Sequence, residues 1–327
     1  MKVINIIDSL ELNGGSTTFL EMVAGMQKYW EGDIKSYVVS KTGFCGREEL
    51  VDSRFAPSYG VFLELYDYSR FEKEVVPDVR DCIVFHHVLG YTRRIEFHES
   101  CKYIIINHRD VNLKRLPAFK AFKLVCVSKY FAQQVRKANA GSPIVILNGC
   151  GDYYDTEPAY KSDKLVLGRC QRVTPGKFMS ENIRDKRIVQ YIVGPVDPKA
   201  KKLIPGGAKL FGPVFNLDEK LPIIKSFDLY LHGSPSPEGC SMAILEALSC
   251  GVPILARDRG GGVNEIINQG VNGFLYKDDA KLKRIIERFI NNKDYAQQMR
   301  ESTHKDFLER FHVKHMLDNY KELLSEC

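Results

Sequence analysis

Short apolar runs recur along the chain, each followed by a stretch of turn or helical character. In the first half they fall at residues 3–7, 37–40, 81–87, 103–106, 124–128 and 144–147. Runs this short, apolar at most positions, read as strands buried on both faces, which is how parallel sheets look in sequence. An amphipathic helix carrying Phe19, Leu20, Met22 and Val23 lies between the first two, and another opens at Lys129. Residues 152–163 are polar and loop-like. Beyond them come apolar runs at 165–167, 187–193, 209–211, 229–232 and 253–256, with helical periodicity at 242–248, 282–290 and 306–324. This alternation predicts an α/β protein with two Rossmann-like domains. The expected division is 1–151 and 152–310, with a C-terminal helix over 311–327.

Composition narrows the class. The 327 residues are 44% hydrophobic and 27% charged, as in soluble globular proteins. No run approaches the ~18 apolar residues needed to cross a bilayer, and the first ten residues read as a strand, not a secretory signal. Nine cysteines, an odd number with no Cys-x-x-Cys pair, argue for reduced thiols in a cytoplasmic setting and against a zinc site. The formal net charge of +6 is uneven: residues 91–140 hold eleven Lys and Arg against three Asp and Glu, a local +8, so the rest sums to −2. Inside that segment Lys114, Arg115, Lys120 and Lys123 interleave with Leu116, Phe119 and Phe122. Such a stretch suits an anionic membrane surface or a nucleic-acid backbone; a solvated basic face is the plainer alternative.

The densest chemistry lies between Glu238 and Glu265. Glu238, Gly239, Cys240 and Ser241 precede an apolar helical run that contains Glu246, and Cys250-Gly251-Val252-Pro253 ends it. Gly260, Gly261 and Gly262 then form a loop before a helix near Asn264 and Glu265. A helix start presents unpaired N–H groups and a partial positive charge, which suits a phosphate. If the segment is helical throughout, Glu238 and Glu246 stand roughly 12 Å apart, a span that could serve two hydroxyl-bearing ends of one ligand with a diphosphate between them. The spacing alone equally allows two solvated acids on an amphipathic helix.

The full string EGCSMAILEALSCGVPILA, with GGVNEII and NGFLY after it and Pro235-Ser236 before it, resembles the donor-site signature of glycosyltransferase family 4. That family is the large retaining group of the GT-B fold, glycosyl transferases group 1. The resemblance implies two Rossmann-like domains facing across a cleft, with the C-terminal helix crossing back to the first. It places Glu238 near the donor sugar, Glu246 on the ribose hydroxyls and Glu265 as a further donor-side acid. Gly239, Cys240 and Ser241 then approach the donor at the helix start. In the first half, Gly14 and Gly15 fall where the family keeps a Gly-Gly loop, read here as a turn before the first helix, with amides available to the diphosphate. His108 is the first candidate for the family's strand-end histidine near the sugar, and His87, on the acceptor side, the second.

Two cations should neutralise the diphosphate. Gly168-Arg169 matches the family's Gly-Arg at a strand end, but Arg172 has the better spacing to Lys177; Arg172 with Lys177 is preferred, with Arg169 as the substitute. Asn148-Gly149 resembles the family's hinge. The resemblance implies a retaining transferase acting on a nucleotide-sugar donor, a UDP-sugar first, without a metal or other cofactor. The absence of an Asp-x-Asp triplet agrees. Lys114, Arg115 and Lys120 are assigned to the acceptor side. The expected acceptor is anionic or carried on an anionic surface, either a membrane, with lipid-linked or polysaccharide acceptors, or nucleic acid, as in transferases that modify hydroxymethylated DNA. A non-catalytic nucleotide-sugar or polyanion-binding module is the third reading.

Overall fold

Two parallel sheets carry the structure. A computed structural model describes residues 1–7, 14–40, 56–88, 95, 97–108, 122–138, 141–181 and 183–325. The chain divides into two units, Met1–Gly149 with Val313–Cys327, and Cys150–His312.

The first unit contains β1 (Lys2–Ile7), α1 (Gly14–Tyr29), β2 (Asp33–Ser40), β3 (Glu64–Asp67), α2 (Tyr68–Glu74), β4 (Ile83–Val88), β5 (Lys102–Asn107), β6 (Phe122–Cys126), α3 (Lys129–Lys137) and β7 (Ile144–Val145). Its strands lie in the order β3-β2-β1-β4-β5-β6-β7. In the second unit are β8 (Leu165–Cys170), β9 (Ile188–Val193), β10 (Lys209–Gly212), α4 (Leu217–Lys225), β11 (Leu229–His232), α5 (Met242–Ser249), β12 (Ile254–Arg257), α6 (Gly262–Ile266), β13 (Gly273–Tyr276), α7 (Asp279–Asn291) and α8 (Lys293–Arg310). Their order is β10-β9-β8-β11-β12-β13. Both sheets step outward from their first strand in one direction, then reverse, which is the doubly wound arrangement. The apolar strands are buried because helices cover them; Val3, Ile4, Ile6 and Ile7 of β1 and Leu229, Tyr230 and Leu231 of β11 are nearly sealed from solvent.

Three local expectations change. The helix expected over residues 306–324 is two helices, α8 and α9 (Val313–Ser325). The Phe311 carbonyl, which a continuous helix would give to its own next turn, accepts instead from the Cys150 N–H at 3.0 Å. After this break α9 joins the first unit, burying Val313, Met316, Leu317, Tyr320 and Leu323 on one face against α1, with Tyr320 edge-on to Phe85 at 5.4 Å. Gly14 and Gly15 are the first residues of α1, not a loop before it. First-turn N–H groups have no intrahelical partner, so the usual helix cost of glycine is least disruptive there. Finally, β8 runs through Gly168 and Arg169 to Cys170, so these two sit inside a strand, not at its end.

Glycine at 168 has a packing reason: a Cβ there would lie 2.0 Å from the buried ring of Phe227. Among the described residues no helix is long and apolar enough to cross a membrane. Gly168→Ala is expected to lower stability by about 1–3 kcal/mol through overpacking. The measurement is a urea midpoint that falls at constant m-value; a wild-type midpoint would show that the ring yields freely.

Candidate functional site

In the second sheet, β8 leads to β9 on one side and β11 leads to β12 on the other, so their carboxyl ends form the switch point where α/β sheets bind ligands. Lys177 follows β8 and Glu238 follows β11, and the two meet: Lys177 Nζ donates to Glu238 Oε1 at 2.8 Å. The Ser234 hydroxyl donates to the same oxygen at 3.2 Å. His232, the last residue of β11, brings Nε2 within 3.4 Å of Glu238 Oε2. That nitrogen has no aligned hydrogen-bond acceptor, so the contact is one of proximity. Burial pushes the Glu238 carboxyl up; His232 and the Lys177 ammonium outweigh it and hold it at about 2. Glu238 is thus an anion throughout the physiological range.

The backbone around this pair is tightly tied. Gln171 Nε2 donates to the Lys177 carbonyl at 2.9 Å, and the Met179 N–H donates to Gly233 O at 2.9 Å. The Gly262 N–H donates to Glu238 O at 2.7 Å. Gly261, at φ 82°, allows that closure: a Cβ there would lie 2.9 Å from Pro237 Cβ and 3.0 Å from Glu238 O. The glycine loop read from sequence therefore packs on the backbone of Glu238. Just beyond, Ser241 takes the N-cap position of α5 without a side-chain capping bond. Gly239 and Cys240 are buried beside this start. The start of α5 offers N–H groups, and Lys177 offers a half-exposed cation, both suited to an anion.

Glu238 precedes α5, which opens only at Met242, so the estimated separation from Glu246 along one helix does not apply. Glu246 is buried in α5, and Lys220 of α4 donates to its Oε1 at 2.6 Å. Burial works against the Lys220 charge, but Glu246 outweighs it and raises the lysine's pKa. Glu265 sits half-buried in α6, and its carbonyl accepts from Arg310 at 2.9 Å.

Of the two candidate arginines, Arg172 lies exposed in the turn after β8. Arg169, expected as a donor-binding substitute, is fully buried. Its Nη1 donates to Met179 O at 2.9 Å, its Nη2 pairs with buried Glu181, and Glu181 Oε1 also accepts from Tyr276 OH at 2.8 Å. A strand residue alternates faces, and this one points into the unit. The role it plays is to tie the residue-179 backbone, two positions past Lys177, to the sheet. Sequence reasoning missed Glu181, Gln171, His232, Ser234 and Lys220. His232 and Ser234 had a positional signal, at the end of an apolar run; the others had none.

In the first unit His87 and His108 pair, Nδ1 to Nε2 at 2.9 Å, with rings stacked 5.1 Å apart at 14°. Burial lowers His108 to about 3, although part of its ring reaches the surface, and lowers His87 well below its ordinary range, helped by the neighbouring imidazoles. Both are neutral, and their remaining nitrogens, His87 Nε2 and His108 Nδ1, are buried without a hydrogen-bond partner. Lys114, Arg115 and Lys120 lie outside the described residues. Among the described residues no cluster of three or more His, Cys, Asp or Glu could hold a metal ion.

With this geometry established, comparison with known proteins adds the following. Residues 200–306 match the family Glycosyl transferases group 1, and the matched segment includes Glu238, Glu246 and Glu265. The chain is 30% identical over 110 residues to the uncharacterized glycosyltransferase MJ1069 of Methanocaldococcus jannaschii, covering 33% of this chain and 28% of that one. It is 28% identical over 207 residues to MJ1178 of the same organism, also an uncharacterized glycosyltransferase, covering 58% and 55%. The match thus spans between about a quarter and about half the length of these curated relatives. The crystal structure of Anabaena Alr3699/HepE in complex with UDP-glucose is similar with a TM-score of 0.71 at 18% identity, covering 100% of both chains. That likeness establishes the fold: two Rossmann-like α/β domains of the GT-B type.

His86 supplies a pH test because it is buried and burial alone lowers it from 6.5 to about 4. The unfolded chain takes up this proton near 6.5 and the folded chain only near 4. Its contribution to stability is therefore complete above about 6.5 and lost as pH falls between those values. Denaturant midpoints measured from pH 7 to 4 should fall, and His86→Phe should flatten the slope; an unchanged slope would contradict the burial argument.

Proposed function

We propose that the chain is a glycosyltransferase that moves a sugar from a nucleoside-diphosphate sugar, a UDP-sugar, to an acceptor hydroxyl with retention at the anomeric carbon. The observation that carries this is the Lys177–Glu238 pair at the switch point of the second sheet, beside the uncapped start of α5. It is supported by the group 1 match over residues 200–306 and by the UDP-glucose held by the similar Anabaena structure.

In this reading the bond from the anomeric carbon to the β-phosphate oxygen breaks and a bond to the acceptor oxygen forms on the same face. The acceptor proton passes to the departing phosphate. Lys177, Arg172 and the N–H groups of α5 stabilise the charge that grows on the diphosphate, and no metal is required for that neutralisation. Glu238 orients the sugar through its hydroxyls. The Lys177–Glu238 pair, with 55% and 22% side-chain exposure, contributes on the order of 0–1 kcal/mol, so a diphosphate can draw the lysine away.

Lys177→Ala should lower kcat about 10²–10³-fold while leaving the thermal unfolding profile unchanged; wild-type turnover would refute the role. The acceptor is proposed to be anionic or to lie on an anionic surface, from the basic segment at residues 91–140. Lys114, Arg115 and Lys120 changed together to alanine should raise acceptor KM far more than donor KM. Hydroxymethylated DNA and membrane extracts are the two acceptor arms, and equal effects on both KM values would remove the proposal.

A further inference from the structure

Among the described residues, the crossover from β8 to β9 holds no helix, where parallel strands usually receive one. Among the described residues, 171–181 and 183–187 run as turns and irregular backbone. One face of these two strands is therefore covered in part only. The register sets Leu165 opposite Ile188, Leu167 opposite Gln190 and Arg169 opposite Ile192, so these six side chains share a face. Toward the carboxyl ends, Val173, Phe178 and Ala200 pack over Ile192. Nearer the amino ends the cover thins into a cavity of about 830 Å³, within the range of small-molecule sites.

Gln190 is out of place in that face. Its neighbours are apolar, or, for Arg169, matched by Glu181. Gln190 is only 8% exposed, lines the cavity, and its Oε1 has no hydrogen-bond partner. A buried acceptor left unmatched is costly, and a ligand hydroxyl would satisfy it. The rim carries Lys164, Arg184 and Ser180, whose side chains have no hydrogen-bond or ion-pair partner among the described residues. Two acids also line the cavity, and both are already engaged: Asp185 by Arg187, Glu181 by Arg169 and Tyr276. Ile188 and Ile204 supply an apolar wall.

We infer that this cavity is a second ligand site, for a pyranose that carries an acidic group. Gln190 Oε1 is sealed from solvent, and the amide turns toward the cavity when a ring hydroxyl donates to it; the C–H face of the ring lies on Ile188 and Ile204, and the acidic group meets Lys164 and Arg184. The space exceeds what one ring needs, so a short acidic oligosaccharide fits. Neither Lys177 nor Glu238 lines the cavity, so the site stands apart from the proposed donor site.

The test is calorimetric titration of the full chain with glucuronate, glucose 6-phosphate, glucose and inorganic phosphate. The first two separate a carboxylate from a phosphate as the acidic group. At least one acidic sugar should bind saturably at one site per chain, with glucose weaker by about tenfold or more. Gln190→Leu and Arg184→Glu should each weaken it about tenfold or more, and Lys177→Ala should leave it unchanged. Gln190→Leu removes an unmatched acceptor, so its melting temperature should equal or exceed that of wild type. Four outcomes would each overturn the assignment. The first is no saturable binding of either acidic sugar. The second is binding indifferent to both cavity variants. The third is binding lost with Lys177→Ala, which would place the sugar in the proposed donor site. The fourth is inorganic phosphate binding as tightly as the sugars.

Discussion

The second unit turns on a buried charge. Arg169 stands near the carboxyl end of β8 with no access to water, and Glu181 and the Met179 carbonyl take up its guanidinium. Taking such ions out of water is expensive, and a buried pair adds little net stability over well-packed apolar residues. What it does supply is a single geometry, since removing either partner would strand the other charge. Glu181 is held in turn by Tyr276 of β13, so strands β8 and β13 and the β8–β9 connection share one polar knot. A connection with no helix of its own would otherwise have little to hold it. The position of Lys177, in that connection, follows from this anchoring.

Around the switch point the ion pairs differ by depth, and depth decides what each can do. Lys220 and Glu246 are both nearly sealed, with 8% and 3% of their side chains exposed. Separating them would leave an uncompensated buried charge, so this pair joins α4 to α5 and sets where the helix start lies. Lys177 and Glu238 are partly open to solvent, and their attraction is screened. Such a pair adds little to stability and, in the proposed function, exchanges partners at small cost when a diphosphate arrives. The electrostatic logic is of rigid pairs beneath and one exchangeable pair above.

The first unit is organised by neutrality instead of charge. His86 donates to, or accepts from, Tyr103 OH at 2.6 Å, and His87 does the same with His108 at 2.9 Å. Burial keeps these imidazoles uncharged, so they can sit at the end of a buried strand without counter-ions. His86 and His87 are consecutive on β4 and so point to opposite faces. Both are buried, His86 meeting Tyr103 near the start of β5 and His87 meeting His108 just past its end.

Much of the architecture could be read from the sequence because it rests on local patterning. Runs such as 3–7 and 229–232 are apolar at nearly every position, and only a strand covered on both faces satisfies that in so few residues. The apolar run of α5 and its end at Cys250-Gly251 were legible for the same reason: backbone chemistry within a few residues sets them. Three things were not legible. Whether Arg169 faces solvent or the interior depends on which face of β8 is covered, and the cover comes from residues ten or more positions away. The break at Phe311 depends on a hydrogen bond from Cys150, far off in the chain. The partners of Glu246 and Glu238, Lys220 and Lys177, are chosen by the packing of α4 and of the β8–β9 connection. The sequence by itself determined most of the strands and that they form parallel α/β sheets in two units. Tertiary structure alone decided which charges are spent inside and which stay exchangeable, because burial and pairing depend on neighbours that no local pattern specifies.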